Sequence, residues 1–133
     1  GDDDDAYLLA RAVQFFAPGI PQVYYVGMLA GANDLKLLEE TKVGRNINRH
    51  YYTKEEVIKE VERPVVKKLL KLMRFRNNHP AFGGEFLIEE SPVNELIIRR
   101  KNGEDEAVLK ADLKAHSFTV SYTENGEKKE LSL

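Results

Sequence analysis

The period of the hydrophobic pattern changes once along this chain, at the segment Asn77-Asn78-His79-Pro80. Before this segment, apolar residues recur at helical spacing, most clearly from Pro64 to Asn78. After it, apolar and polar residues alternate in short runs separated by turn residues, which is typical of antiparallel strands with one solvated face. We therefore predict a helix-containing part over residues 1–80 and an antiparallel β domain over residues 81–133.

The second part contains five predicted strands, and the joints between them carry residues that favour tight turns. These turn residues include Pro92-Val93-Asn94, Asn102-Gly103 and Glu124-Asn125-Gly126. A segment of roughly fifty residues is small for an independent core, so we expect the sheet to pack on the preceding helices. The predicted strands are Glu85–Glu90, Glu95–Lys101, Ala107–Leu113, Ser117–Tyr122 and Glu130–Leu133.

The first part combines predicted helices with one apolar run that has the composition of a buried strand. The pattern predicts a helix over about Asp4–Phe16, which the segment Ala17–Pro21 ends with two prolines and a glycine. The next run, Gln22–Gly27, is rich in β-branched and aromatic residues and lacks alternation, as in a parallel strand covered on both faces. Helix, turn, buried strand and loop in this order indicate a βα barrel or a doubly wound sheet.

Three more helices are indicated by the residues at their ends. A short helix is predicted near Asp34–Thr41. Thr53 and Glu56 have the spacing of a capping box at the start of an acidic helix. Pro64 suits the first position of the amphipathic helix that runs to about Asn78.

Composition excludes several classes of function. The chain has 20 Lys+Arg and 22 Asp+Glu, so its net charge of −2 gives no electrostatic footprint for nucleic acid or an anionic membrane. The absence of cysteine excludes disulfides, thiolate zinc sites and a thiol nucleophile. No apolar run approaches the ~20 residues of a transmembrane helix. The opening Gly-Asp-Asp-Asp-Asp is not a signal peptide, which predicts a cytoplasmic protein, and its non-methionine start suggests a piece of a longer chain.

The loop Gly44–Tyr52 is the strongest candidate for a binding segment. It is dense in Asn, Arg, His and Tyr, which hydrogen-bond hydroxyl groups and stack on sugar faces, and it follows the predicted strand, where ligand loops lie. Two interpretations of its arginines remain open. An arginine here can pair with a carboxylate and reach a sugar hydroxyl, or Arg45 and Arg49 only fix the loop through backbone carbonyls.

No other motif assigns a catalytic, cofactor or metal site. The three histidines, His50, His79 and His116, lie in different segments without metal-ligand spacing, and we expect a structural or solvent-exposed role for His79 and His116. Nucleophile-elbow, Walker and dinucleotide-binding motifs do not occur in the sequence. The abundant carboxylates on predicted helices and turns are typical of a solvated surface.

Five segments together carry a resemblance to a known family. Phe15–Gly27 resembles the last barrel strand of the α-amylase superfamily and the turn before it. The loop Gly-Arg-Asn-Ile-Asn-Arg-His-Tyr-Tyr at 44–52 resembles the sucrose phosphorylase family specifically, and so do the segments Leu29–Asp34, Arg63–Val66 and Arg74–Phe82. The resemblance is close over residues 1–82 and loose over the β domain.

The resemblance implies a fold and an activity. The fold would be α/β plus β: residues 1–80 as the last βα portion of a (β/α)8 TIM barrel, and residues 81–133 as a small antiparallel C-terminal domain. The activity would be that of a retaining glucosyltransferase, in which an Asp nucleophile and a Glu acid/base cleave sucrose and phosphate intercepts the glucosyl-enzyme. The products would be α-glucose 1-phosphate and fructose, and no cofactor or metal would be required.

The resemblance also implies which roles this chain supplies. Arg49 would pair with an Asp from early in the barrel and hold the glucosyl unit, so Arg49 is the one predicted substrate-binding residue. The nucleophile, the acid/base and a further stabilising Asp would precede Gly1, so we expect no catalytic residue here. Expected partners are sucrose or a related α-glucoside, phosphate and the rest of the barrel, with a homodimer left open. Alternatives are a phosphorylase of sucrose 6′-phosphate or glucosylglycerate, and a non-catalytic sugar-binding remnant.

Overall fold

The computed structural model describes residues 3–133, in which a helical part is followed by a five-stranded sheet. This order confirms the predicted combination of a helical part with a small antiparallel β domain. The helices are α1 (Asp4–Phe16), α2 (Tyr25–Met28), α3 (Leu35–Thr41), α4 (Lys54–Glu60) and α5 (Pro64–Asn78). The strands are β1 (Glu85–Glu89), β2 (Glu95–Asn102), β3 (Asp105–Asp112), β4 (Ser117–Glu124) and β5 (Glu127–Glu130), and short 3-10 segments cover Gly44–Asn48 and Pro80–Gly83.

The helix ends follow the local chemistry of the sequence. The Asp3 side chain accepts hydrogen bonds from the first amides of α1, and α1 begins at the predicted Asp4. Thr53 and Glu56 form both bonds of the predicted capping box at α4. Pro64 occupies the first turn of α5, as expected for a residue without an amide proton. None of the helices formed within residues 3–133 has the length and apolar character needed to span a membrane.

The five strands form an antiparallel sheet in chain order, β1-β2-β3-β4-β5. The first four strands lie where the alternation predicts them, to within two residues at each end. The predicted fifth strand, Glu130–Leu133, is wrong, since β5 occupies Glu127–Glu130. Asn125 and Gly126 have φ of 52° and 78°, so they form a two-residue hairpin loop that pairs Glu124 directly with Glu127. The turn geometry therefore sets the strand's start, although its apolar residues come later.

The predicted buried strand Gln22–Gly27 is also wrong. The chain is extended only as far as Tyr24, and α2 then forms a single helical turn from Tyr25 to Met28. A parallel strand needs hydrogen-bonding neighbours on both sides, and no strand precedes Glu85 in the part of the chain that the structure describes. Without such neighbours, the amides of Met28 and Leu29 bond to carbonyls four residues earlier instead.

A shared hydrophobic core joins the helical part to the sheet. Apolar side chains from one face of α1 and α5 meet the inner face of β2, β3 and β4. Phe16 and Phe82 form an edge-to-face pair with ring centroids 5.0 Å apart at the centre of this contact. The sheet therefore packs on the preceding helices, as its small size predicts. The buried members are Leu8, Ala12, Phe15, Phe16, Leu69, Leu72, Ala81, Phe82, Ile98, Ala107, Leu109 and Val120.

One charged side chain, Arg100 on β2, lies within this core with only 4% of its surface exposed. Its guanidinium donates hydrogen bonds to backbone carbonyls only, at distances of 2.8–3.3 Å. Burial lowers the pKa of Arg100, but an arginine still remains charged at any ordinary pH. The bonds join the end of α1, the 3-10 segment and β1 to the sheet. The acceptors are the carbonyl oxygens of Phe16, Ala17, Phe82, Gly84 and Glu85.

Replacement of Arg100 by methionine is expected to destabilise the fold strongly. The substitution keeps a long apolar stem but leaves buried carbonyls without donors, which costs about 3–5 kcal/mol in the free energy of unfolding. Urea unfolding of the complete protein that contains this chain, followed by circular dichroism, measures the loss. Arg99→Met on the same strand is the matched control, because Arg99 pairs with Glu89 and Glu106 at the half-exposed outer face and should cost about 1 kcal/mol. Equal costs for the two variants would contradict a special role of Arg100.

Candidate functional site

The candidate loop Gly44–Tyr52 connects α3 to α4 and is only partly regular. Its first five residues form a 3-10 helix, and Arg49 follows with φ −127° and ψ 39°, which ends the helical turns. The loop has little apolar burial of its own, so its shape depends on polar contacts with neighbouring elements.

Asp34, which begins α3, holds the loop at two points. Its backbone amide donates to the carbonyl of Ile47 at 2.6 Å, and its carboxylate oxygen Oδ2 lies 2.7 Å from Nδ1 of His50. The other carboxylate oxygen, Oδ1, caps α3 by accepting from the amide of Leu37. One residue therefore fixes the start of a helix and both sides of the segment that carries Arg49.

The imidazole of His50 lies between two carboxylates. Nδ1 faces Asp34, and Nε2 lies 3.4 Å from Oε1 of Glu56 in the first turn of α4. The second carboxylate oxygen of Glu56 accepts from the amide of Thr53 at 2.6 Å, as part of the capping box. We refer to Asp34, His50 and Glu56 as the histidine clamp, since they join α3, the loop and α4.

Two tyrosine side chains, one on α2 and one at the end of the loop, contact the histidine clamp. The hydroxyl of Tyr25 donates to the carbonyl of His50 at 2.9 Å. The ring of Tyr52 lies edge-to-face with both His50 and Tyr25, at centroid distances of 4.7 and 6.1 Å. Gly31 leaves room for this arrangement, because a Cβ there would collide with the hydroxyl of Tyr52.

Charges within the histidine clamp shift one another's pKa values. The hydrogen bond to Asp34 is the main cause that raises the pKa of His50 above its ordinary value of 6.5, with a smaller contribution from Glu56. The bond to His50 lowers the pKa of Asp34, and the backbone amide of Thr53 lowers that of Glu56. The histidine is thereby favoured as an imidazolium and the two carboxyls as carboxylates.

The structure does not show Arg49 or Arg45 in either of the arrangements that the sequence left open. Arg49 is half-buried and Arg45 is exposed, and within residues 3–133 neither side chain bonds to a backbone carbonyl or a carboxylate. The loop is instead fixed by Asp34, His50 and Tyr25. The guanidinium of Arg49 keeps its planar set of N–H donors available for a carboxylate or a hydroxyl group.

Sequence reasoning missed the roles of Asp34, Glu56 and Tyr25 in the candidate site. Asp34 and Glu56 carry a helix-cap signal, but that signal says nothing about a histidine 16 or 6 residues away. Tyr25 belongs to the predicted strand that does not form, and it begins α2 instead. The presence of His50 within a loop flanked by two capped helices is the only sequence signal that points towards the clamp.

A second arginine fixes the chain next to the loop. Nη1 of Arg63 donates to the carbonyls of Leu29 and Ala30 at 3.2 and 3.3 Å and to the carboxylate of Glu60 at 2.6 Å. This carboxylate is the first cause that raises the pKa of Arg63. Arg63 thus ties the turn after α2 to the junction of α4 and α5, behind the candidate loop.

The other two histidines have the structural or surface roles that the sequence predicts. The two ring nitrogens of His79 contact the carbonyl of Thr123 at 2.7 Å and the amide of Ala81 at 3.2 Å, so His79 links α5 to the sheet. His116 is exposed in the β3–β4 turn and pairs with Asp3 at 2.8 Å.

Neither a metal centre among residues 3–133 nor the cleft at the end of α5 involves the candidate loop. No group of three or more His, Asp or Glu side chains among residues 3–133 is arranged to hold a metal ion. A cleft of about 520 Å³ lies between the end of α5 and β4, where Phe75 and Tyr122 line it, and it includes no residue of the loop. Among residues 3–133, the loop presents the unbonded guanidinium of Arg49 and the imidazole of His50 paired with two carboxylates.

His50 is expected to titrate above 6.5, and Asp34→Asn should lower its pKa because it removes the nearer negative charge. A raised pKa in the folded state means that the clamp's contribution to stability is present in full below the pKa of an unfolded histidine. That contribution is lost as the pH rises through the raised value. NMR titration of the ring resonances measures both pKa values.

Asp112→Asn is the control for this titration. Asp112 also accepts hydrogen bonds from backbone amides, those of Lys114 and Ala115, but it lies at the end of β3, in the sheet and not in the candidate loop. An unchanged pKa of His50 in Asp34→Asn would show that the clamp does not form in solution.

Comparison with known proteins shows which family this chain belongs to. No protein-family model matches the chain. The sucrose phosphorylase of Streptococcus mutans is 55% identical over 129 residues, which are 96% of this chain and 27% of that enzyme. The sucrose 6(F)-phosphate phosphorylase of Thermoanaerobacterium thermosaccharolyticum is 53% identical over 94% of the chain, and the glucosylglycerol phosphorylase of Marinobacter adhaerens is 50% identical over 97%.

A solved structure gives the same result for the fold. The crystal structure of sucrose 6F-phosphate phosphorylase from Thermoanaerobacter thermosaccharolyticum matches with a TM-score of 0.94 and 51% identity, over 98% of this chain and 27% of that one. The chain spans only 26–27% of the length of the three curated relatives described above. Because identity of at least 50% extends over nearly all of its residues, the chain belongs to the sucrose phosphorylase family.

Proposed function

We propose that this chain is the C-terminal part of a sucrose phosphorylase, a retaining glucosyltransferase that converts sucrose and phosphate into α-glucose 1-phosphate and fructose. The observation that carries the proposal is the 55% identity to the Streptococcus mutans sucrose phosphorylase over 129 residues. The relatives include phosphorylases of sucrose, sucrose 6(F)-phosphate and glucosylglycerol, and the proposal commits to sucrose among them.

Arg49 is the residue that we propose to bind the substrate. Its backbone lies in a segment fixed on both sides by Asp34, while its guanidinium has no bonding partner among residues 3–133. A guanidinium that bonds a carboxylate with part of its donor set retains other N–H groups for the hydroxyls of a glucosyl unit. Binding at hydroxyl groups that do not react orients the anomeric carbon for attack.

The catalytic carboxylates are proposed to come from the rest of a (β/α)8 barrel, to which residues 1–80 would contribute the last βα portion. Residues 81–133 would form the C-terminal domain.

The surface of the helical part supports this arrangement, because it exposes large apolar side chains that no other residue among 3–133 covers. Ile20 is 98% exposed, Tyr51 75% and Ile58 57%. Contact with the rest of the barrel would bury such side chains. Cytoplasmic localisation and a homodimer stay predictions.

The proposed reaction is tested with the complete enzyme that contains this chain. Sucrose, sucrose 6(F)-phosphate and glucosylglycerol are each incubated with inorganic phosphate, and the release of glucose 1-phosphate is measured by a coupled assay. We expect the highest kcat/KM with sucrose. If one of the other glucosides reacts faster, that glucoside and not sucrose is the substrate. If none of the three glucosides is phosphorolysed, the proposed function is wrong.

Arg49→Ala is expected to lower kcat/KM for sucrose by about a hundredfold or more, because the glucosyl unit loses a charged anchor and its reactive orientation. Arg45→Ala is the matched control, since Arg45 carries the same charge in the same loop but is exposed. We expect Arg45→Ala to stay within about twofold of the unsubstituted enzyme. Comparable losses in both variants would mean that the loop acts through its overall charge and not through Arg49.

The 133-residue chain produced alone is expected to be marginally stable and to self-associate, because its exposed apolar side chains lack the proposed cover. Sedimentation velocity and thermal unfolding measure these two properties. A monomer that melts in one sharp, reversible transition would contradict the proposed contact with a barrel and favour an independent module.

A further inference from the structure

We propose that His50 is a positioning residue, which holds Arg49 in its binding orientation through the histidine clamp with Asp34 and Glu56. This inference rests on the proposed function, in which Arg49 binds the glucosyl unit. It concerns a residue that does not itself touch the substrate, and it therefore goes beyond the assignment of Arg49.

Hydrogen bonds fix the backbone on both sides of Arg49. Two residues before it, the carbonyl of Ile47 accepts from the amide of Asp34 at 2.6 Å. Directly after it, the ring of His50 bonds to the carboxylate of the same Asp34 at 2.7 Å, and the carbonyl of His50 accepts from Tyr25 at 2.9 Å. The backbone of Arg49 can therefore move little while these bonds persist.

The bonds that the imidazole ring of His50 can form depend on its protonation state. A neutral histidine has one N–H group, so it donates to only one acceptor at a time. Both ring nitrogens of His50 face carboxylate oxygens, of Asp34 and of Glu56, and the arrangement is satisfied in full only by an imidazolium. Deprotonation removes one of the two donors and with it the bond to α3 or the bond to α4.

The groups around His50 determine how the clamp responds to pH. The carboxylates of Asp34 and Glu56 face the ring, and both favour its protonated form. The phenol ring of Tyr52 packs edge-to-face on the imidazole, and the hydroxyl of Tyr25 bonds to the backbone carbonyl of His50. Burial raises the pKa of both tyrosines, so neither titrates near neutral pH. The clamp is therefore complete at pH values below the raised pKa of His50 and weakens as the pH rises through that pKa.

A weakened clamp has a direct effect on the proposed reaction. A displacement of about 1 Å in a substrate-positioning group can lower the rate by about a hundredfold. Release of the loop at Arg49 should consequently lower kcat/KM for sucrose without any change in the groups that perform the chemistry. The loss should follow the ionisation of His50, so its pH midpoint should move when Asp34→Asn shifts that pKa, whereas a structural role independent of this ionisation would leave the midpoint unchanged.

The experiment measures kcat/KM for sucrose between pH 5.5 and 9 in the complete enzyme and in three variants. His50→Gln is expected to lower kcat/KM by about tenfold to a hundredfold and to remove the decline at high pH that His50 causes. Asp34→Asn keeps a helix-capping side chain but lacks the charge, and it should move that decline to lower pH. His116→Gln is the matched control, because it removes another histidine–aspartate pair, 2.8 Å long, in the distant β3–β4 turn.

Hydrogen exchange of residues 46–52, measured by mass spectrometry without substrate, tests the clamp independently of the reaction. We expect faster exchange in His50→Gln than in His116→Gln. Equal exchange in these two variants, or a high-pH decline of kcat/KM with the same midpoint in the unsubstituted enzyme, His50→Gln and Asp34→Asn, would overturn the proposal. If the unsubstituted enzyme converts no glucoside, the proposed function fails separately, and the exchange rates still decide whether His50 holds the loop.

Discussion

The buried guanidinium of Arg100 is the interaction on which the remaining architecture depends. It lies in the core without a carboxylate partner, and backbone carbonyls from three different elements provide its solvation. These carbonyls include Phe16 and Ala17 at the end of α1, where the negative end of the helix dipole also favours a cation. Arg76 reinforces the same junction, since it donates to the carbonyls of Phe15 and Gly19. The helical part and the sheet are thus held in one orientation by directional bonds as well as by apolar contact.

The candidate site is attached to this frame mainly by polar contacts, and less by apolar packing. The core fixes α1 and α5, and Arg63 at the start of α5 ties the turn after α2 to them. The loop that carries Arg49 lies farther out, and it has polar contacts in place of apolar ones. The contacts of His50 change with its protonation, whereas Arg100 in the core stays charged at any ordinary pH. A change of pH should therefore affect the loop before it affects the core.

Local signals in the sequence predict most of the helices and strands, but they predict fewer of the contacts between them. The capping box of Thr53 and Glu56 and the proline at position 64 mark helix starts correctly because their physical effects act within one helical turn. The predicted position of the fifth strand is wrong because the hairpin loop at Asn125, and not the apolar residues that follow, decides where pairing begins. The apolar run at Val23–Val26 predicts a strand that does not form, because hydrophobic composition cannot supply the hydrogen-bonding neighbours that a strand requires.

The sequence by itself determined the class of fold, the ends of the helices, the positions of the first four strands and the loop that contains Arg49. Each of these depends on side chains that act on backbone groups a few residues away, or on a periodicity that one element displays alone. The tertiary structure decided that Arg100 is buried among carbonyls and that Asp34 and Glu56 converge on His50. These contacts join elements whose approach is set by the packing of the whole chain, and no local pattern encodes the distance between their atoms.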